Sequence, residues 1–229
     1  MRLIPSLPRI RIVAHGPYIV SGSVPLFSAT IVLNDEDESV RWRFGRRFAA
    51  RANYALCRCG RTRTPPFCDG SHARVHFDGK ETASRAPYIE QARRITGPGL
   101  GLTDAERLCA SARFCLRVGG IWNLIRHSSH DEARKAAIHE AYDCPAGRLV
   151  VWDLAGKALE PELQIGIGLV KDPHANNRGP AWVRGGIPVE SVDGFVYEVR
   201  NRMTLCRCGR SRNKPFCNGS HGRPVVPTG

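Results

Sequence analysis

The chain has 229 residues, 42% hydrophobic and 24% charged, enough to bury a core, so a disordered tail is excluded as its main state. Its formal net charge is +13, and of 34 basic residues only 5 are Lys (80, 135, 157, 171 and 214), the remainder being Arg. With no basic run, basic helix or nucleic-acid fold signature, that charge does not support nucleic-acid binding and reads as balance for anionic groups or acidic partners.

The N-terminus is broken by Pro5, Pro8 and Arg9, so it lacks the apolar core of a signal peptide. No stretch reaches the 18 or so apolar residues of a membrane span, and a cytoplasmic location is expected. Strands are expected over residues 10–13, 18–20 and 28–33, with Gly16-Pro17 and Gly22 as turn signals. The acidic run 34–39 reads as a solvated turn, because it lacks the Gly and the terminal bidentate Glu of a calcium loop. Residues 41–48 alternate Arg41 and Arg43 with Trp42 and Phe44, which suits a strand with one buried face.

Cys57, Cys59, Cys68 and His72 follow, in the spacing C-x-C-x8-C-x3-H. The spacing returns at Cys206, Cys208, Cys217 and His221, with Pro-Phe before the third Cys each time. Structural zinc usually takes pairs separated by two to four residues. A one-residue gap suits two thiolates on one metal of a small cluster, and the third Cys and the His suit a second, giving a [2Fe-2S] centre on three thiolates and one imidazole. The alternative is a zinc Cys3His knuckle acting as an adaptor or nucleic-acid-binding module. The other six histidines lack metal spacing and read as surface or satisfied core residues.

Between the motifs, Gly97 to Gly101 forms a flexible lead-in, and Thr103 with Glu106 predicts a capped helix from Asp104 to about Val118. A second, Ala-rich helix is expected from His130 to Ala141, stopped near Cys144-Pro145, and a strand over 149–152. A loop-rich path then runs through Ile165 to Val170 to the turn at 172–177. Cys109, Cys115 and Cys144 lie in this segment, and C-x5-C with a distant Cys-Pro resembles a divergent single-cluster ferredoxin domain. Ala112 stands where such a domain places a fourth Cys or an Asp. The resemblance implies a third iron-sulfur cluster on three Cys, one completed by an outside ligand, or a fold that has lost its metal. Read by themselves, the three are small buried hydrophobes.

Both Cys/His stretches resemble the CDGSH iron-sulfur motif of mitoNEET-type proteins, C-x-C-x2-(S/T)-x3-P-x-C-D-G-(S/A/T)-H. Thr62 and Ser211 fall on its Ser/Thr position and Pro66 and Pro215 on its Pro. The resemblance implies two [2Fe-2S] clusters, on Cys57, Cys59, Cys68 and His72 and on Cys206, Cys208, Cys217 and His221. Asn218 departs from the motif where Asp69 keeps it, so the second site lacks one negative charge.

The repeat extends beyond the motifs, since Gly16-Pro17 to Leu26 lines up with Gly179-Pro180 to Val189. From Pro25 to Cys57 is 32 positions and from Pro188 to Cys206 is 18, so the first copy carries 14 extra residues. The resembled family folds as a homodimer with exchanged strands. An α+β chain is therefore expected, with two β-rich units as an internal pseudo-dimer that buries Tyr54, Phe67, Leu205 and Phe216 near the sites. The units are expected over residues 1–92 and 158–229, with a ferredoxin-like insert over 93–157.

Neutral His in place of a thiolate raises a cluster's potential. Its free nitrogen can take a proton near physiological pH, and protonating the bound nitrogen would release the metal. A redox carrier, sensor or cluster donor is expected rather than an enzyme. Arg58, Arg61, Arg63, Arg207, Arg210 and Arg212 are expected around the sites, facing an acidic redox or cluster-acceptor protein.

Overall fold

Alternation of apolar and charged residues starts the fold. In the computed structural model, which describes residues 7–49 and 51–222, Ile10 and Ile12 face inward from β1 (Arg9–Ile12) while Arg9 and Arg11 face out. The chain then forms β2 (Tyr18–Ser21), β3 (Leu26–Leu33), β4 (Ser39–Arg47) and β5 (Asn53–Leu56), followed by the single turns α1 (Ser71–Arg74) and α2 (Tyr88–Gln91). The middle segment supplies β6 (Arg93–Thr96), β7 (Gly101–Asp104), α3 (Ile121–Arg126), α4 (Asp131–Asp143), β8 (Leu149–Trp152) and β9 (Ala158–Leu159). The second copy supplies β10 (Gly166–Lys171), β11 (Ala181–Arg184), β12 (Val189–Glu190) and β13 (Arg202–Leu205).

The two copies exchange strands. In each, an antiparallel hairpin forms, Ile12 opposite Tyr18 in β1–β2 and Leu169 opposite Ala181 in β10–β11. The next strand crosses over: β3 runs parallel to β10 of the other copy, and β12 runs parallel to β1. The resulting sheets have orders β12-β1-β2-β5 and β13-β11-β10-β3-β4. Ile10, Tyr18, Val20 and Leu56 from one copy and Ile167, Val183, Met203 and Leu205 from the other share one core. Each fully buried aliphatic side chain contributes about 1.5–3 kcal/mol there. Tyr54 and Leu205 are buried in it, and Phe67 and Phe216 pack against it.

The extra residues of the first copy form the end of β3, its acidic turn and β4. Asn34 Oδ1 closes the turn by accepting from Glu38 N at 2.8 Å. β4 is an edge strand, so its expected buried face is only half covered: Trp42 packs 4.8 Å from both Phe114 and Trp182, while Phe44 stays 52% exposed.

Two expectations are corrected in the middle. The helix over 104–118 does not form, because its start signals are spent on side-chain partners. Thr103 Oγ1 accepts from Tyr88 Oη and Trp152 Nε1, both at 2.9 Å, and the Asp104 carboxylate accepts from Arg148 and Trp122. Both residues stay in β7, and two short 3-10 turns follow, separated by Ser111 and Arg113 at φ 55 and 63. The stretch through Ile165 to Val170 is not loop-rich but gives β10, buried through Val170 because it lies between β11 and β3.

α3 and α4 cover the sheet β6-β7-β8-β9 through Leu102, Ile121, Ile125, Ala137, Leu149 and Val151. Arg202, 1% exposed, fastens β13 to this unit: it donates to Ala141 O (2.9 Å) and Cys144 O (2.8 Å) and pairs with Glu160. Among the described residues, no helix is long and apolar enough to cross a membrane.

Candidate metal centres

Each Cys/His loop is built on the end of a strand, by the same hydrogen bonds. Cys57 N donates to Pro66 O and Cys68 N to Ala55 O (2.9 Å each); Cys206 N and Cys217 N donate to Pro215 O and Thr204 O (2.8 Å each). Thr62 Oγ1 donates to Phe67 O at 2.7 Å, as Ser211 Oγ does to Phe216 O at 2.6 Å. The hydroxyl position of the motif therefore pins the loop and stays off the sulfurs. Ser71 and Ser220 do likewise: Ser71 Oγ accepts from Arg74 and Ser220 Oγ donates to Asn218.

The four donors of each loop come together as two pairs. Cys57 Sγ and Cys59 Sγ are 3.7 Å apart, as are Cys206 Sγ and Cys208 Sγ. His72 Nδ1 lies 3.3 Å from Cys68 Sγ, and His221 Nδ1 lies 3.4 Å from Cys217 Sγ. Two sulfurs bound tetrahedrally at about 2.3 Å sit roughly 3.8 Å apart, so each pair fits the edge of one metal's coordination shell. With one donor pair for each metal, the donor set of each loop fits a two-metal group. In the second loop the Cys206–Cys208 hydrogen bond pulls Cys208 down to about 5, while burial pushes Cys217 up to about 12. Metal binding would displace the remaining thiol protons.

The two loops abut at their glycines. A Cβ on Gly60 would lie 2.9 Å from the Cys208 backbone, and one on Gly209 would lie 2.6 Å from Cys59 O. Tyr18 of the first copy donates to Cys206 O and Pro215 O of the second, at 2.9 and 3.1 Å. A cavity of about 510 Å³ opens onto Cys57 on one side and Cys208 and His221 on the other, with Arg46, Arg61 and Lys171 in its walls.

The arginines beside the sites divide into two groups. Arg61, Arg63, Arg210 and Arg212 are exposed. Arg58 is buried instead, under the rings of Tyr18 and Phe77, and donates to Gly79 O at 2.7 Å. Arg207 donates to Gly179 O at 3.0 Å. Burial pulls Arg207 down to about 10, opposed by the thiols of Cys57, Cys208 and Cys206, and the side chain lines the cavity that both sites border. These two arginines hold the loops together rather than forming a docking surface.

The sites differ in what surrounds them. Asp69 accepts from Arg63 N and Ser71 N, both at 3.0 Å, and the Arg63 bond first among these holds its carboxyl well below the usual range. Asn218 accepts from Ser220, through N and Oγ. His72 is half-buried, whereas His221 is buried and its Nε2 lies 3.8 Å from Asp172 Oδ2. Burial opposes the charge of Asp172, but His221 and Arg113 outweigh it and hold the carboxyl below its usual range. Sequence reasoning missed Asp172, Arg113 and Tyr18 as neighbours of the sites; the Asp172-Pro173 turn was visible, but nothing tied it to a residue 49 positions on.

Cys109, Cys115 and Cys144 are each half-buried in the middle segment. Burial, then Cys144 and Cys109, push the Cys115 thiol up to about 12. Cys144 also packs with Ala110, Ala146 and Cys217, which places it beside the second loop.

Strand-exchanged loops with paired sulfur and nitrogen donors define a metal-binding protein of duplicated architecture. The family model described as iron-binding zinc finger, CDGSH type, matches residues 15–73 and 178–222, and the one described as divergent 4Fe-4S mono-cluster matches residues 95–154. The chain therefore carries two CDGSH-type iron-binding domains flanking a divergent 4Fe-4S domain, and it binds iron-sulfur clusters. No curated protein and no solved structure matches it.

Proposed function

We propose that Cys57, Cys59, Cys68 and His72 hold one [2Fe-2S] cluster and Cys206, Cys208, Cys217 and His221 a second, in a protein that carries electrons, senses redox state or donates clusters. The observation that carries this reading is the pairing of donors, sulfur with sulfur at 3.7 Å and sulfur with Nδ1 at 3.3–3.4 Å, in both loops. When bound, such a cluster takes up and returns one electron. The chain's own residues set how readily. His72 and His221 present Nδ1 to the sulfurs and carry the ring proton on Nε2, the nitrogen at which electron gain couples to proton exchange. Cys109, Cys115 and Cys144 supply three of the four ligands that a further cluster would need. Exposed Arg61, Arg63, Arg210 and Arg212 suit an acidic redox or cluster-acceptor protein.

Replacing His72 by Cys tests the assignment. The variant is expected to stay coloured, with the first cluster harder to reduce and its potential no longer sloping with pH, because a neutral ligand has become an anionic one. Redox titration across pH reads this; an unchanged midpoint and slope would remove His72 from the ligand set.

A further inference from the structure

We propose that Asp172, held by Arg113, is a positioning residue that fixes the His221 ring toward its metal, so that the second site retains its cluster and the first is the one that releases. This rests on the two-cluster reading above. With Nδ1 turned to Cys217, the proton of the neutral ring sits on Nε2. Among the described residues that nitrogen has no hydrogen-bond partner, and the group facing it is Asp172 Oδ2 at 3.8 Å. A carboxylate on the far nitrogen of a ligating imidazole fixes its tautomer and orientation and makes it a stronger donor.

Asp172 is 1% exposed, so an unpaired charge there would be costly; Arg113 answers it with a two-pronged contact, Nη2 to Oδ1 at 2.5 Å and Nη1 to Oδ2 at 3.2 Å. Among the described residues, the first copy has no such device. Counting from the matching hairpin pairs Ile12–Tyr18 and Leu169–Ala181, the position of Asp172 is taken by His15, which accepts from Gly79 N at 3.2 Å. His72 is left half-buried, and the Cys68 contact is the sole polar contact of its ring among the described residues. Arg113 lies between Cys109 and Cys115, so it is the middle segment that steadies the second site and leaves the first alone.

The test is cluster loss from the iron-loaded full-length protein to an excess of iron chelator at one fixed pH, followed by visible absorption. Two phases are expected. Asp172→Asn keeps the side-chain cap that Asp172 gives His174 N, yet it should speed the slow phase about tenfold or more and leave the fast one unchanged. It should also shift the histidine-nitrogen hyperfine couplings of one reduced centre and not the other, which a loss of folding alone would not do. Arg113→Lys keeps the charge but loses the fork, and should speed the same phase by less. A single phase in the unaltered protein, or variants that leave the slow phase untouched or move both, would overturn the proposal. Protein that binds no cluster at all would instead defeat the two-cluster reading beneath it.

Discussion

Replacing Gly209 by Ala should weaken both cluster sites at once, although the residue belongs to only one. Gly209 has φ +75, which costs a residue with a Cβ about 1–2 kcal/mol by conformation alone. The new methyl would also stand 2.6 Å from Cys59 O, a backbone atom that can yield only if the first loop shifts. Cys59 and its partner Cys57 would move with it, spoiling the 3.7 Å sulfur pair. The mirror change, Gly60→Ala, presses on the Cys208 backbone and should have the same double effect. Iron content and the chelator-driven loss of visible absorption check this. Damage confined to the substituted loop would mean that the copies are coupled less tightly than their contact implies.

Replacing Glu140 by Gln should stabilise the protein at alkaline pH and flatten its stability profile. Glu140 is 1% exposed, and neither carboxylate oxygen has a hydrogen-bond partner among the described residues. Burial pushes its pKa up to about 8; Arg117 opposes this, and Glu38 and Asp143 add to it. The folded state thus keeps a proton that the unfolded chain gives up from about pH 4.5, so stability falls as pH rises from there to about 8 and is level above. The shift is equivalent to a few kcal/mol at pH 8.5 and to nothing at pH 4. Denaturant unfolding at the two pH values reads the difference; an equal effect at both would place the benefit in packing, not ionisation.

How far the sequence could be read follows from where the determinants lie. Each set of paired donors could be read directly, because sixteen consecutive residues carry it. The internal pseudo-dimer was foreshadowed by the repeat, and its strand exchange by the family that the motifs resemble. The failures share one cause, partners contributed from far along the chain. Thr103 and Asp104 look like a helix start until Tyr88, Trp152 and Arg148 claim them. Arg58 and Arg207 look like surface charge, yet the fold buries Arg58 and ties Arg207 to the backbone of Gly179. Arg113, Asp172 and His221 meet from three separate segments, and no local spacing announces them.

The most direct test is metal content together with visible absorption, measured on protein purified without air. Two paired-donor sites predict a coloured protein with about four irons per chain and no stoichiometric zinc, and clearly more than four when the middle cysteines are loaded. A colourless protein carrying one zinc ion in each loop would contradict the account.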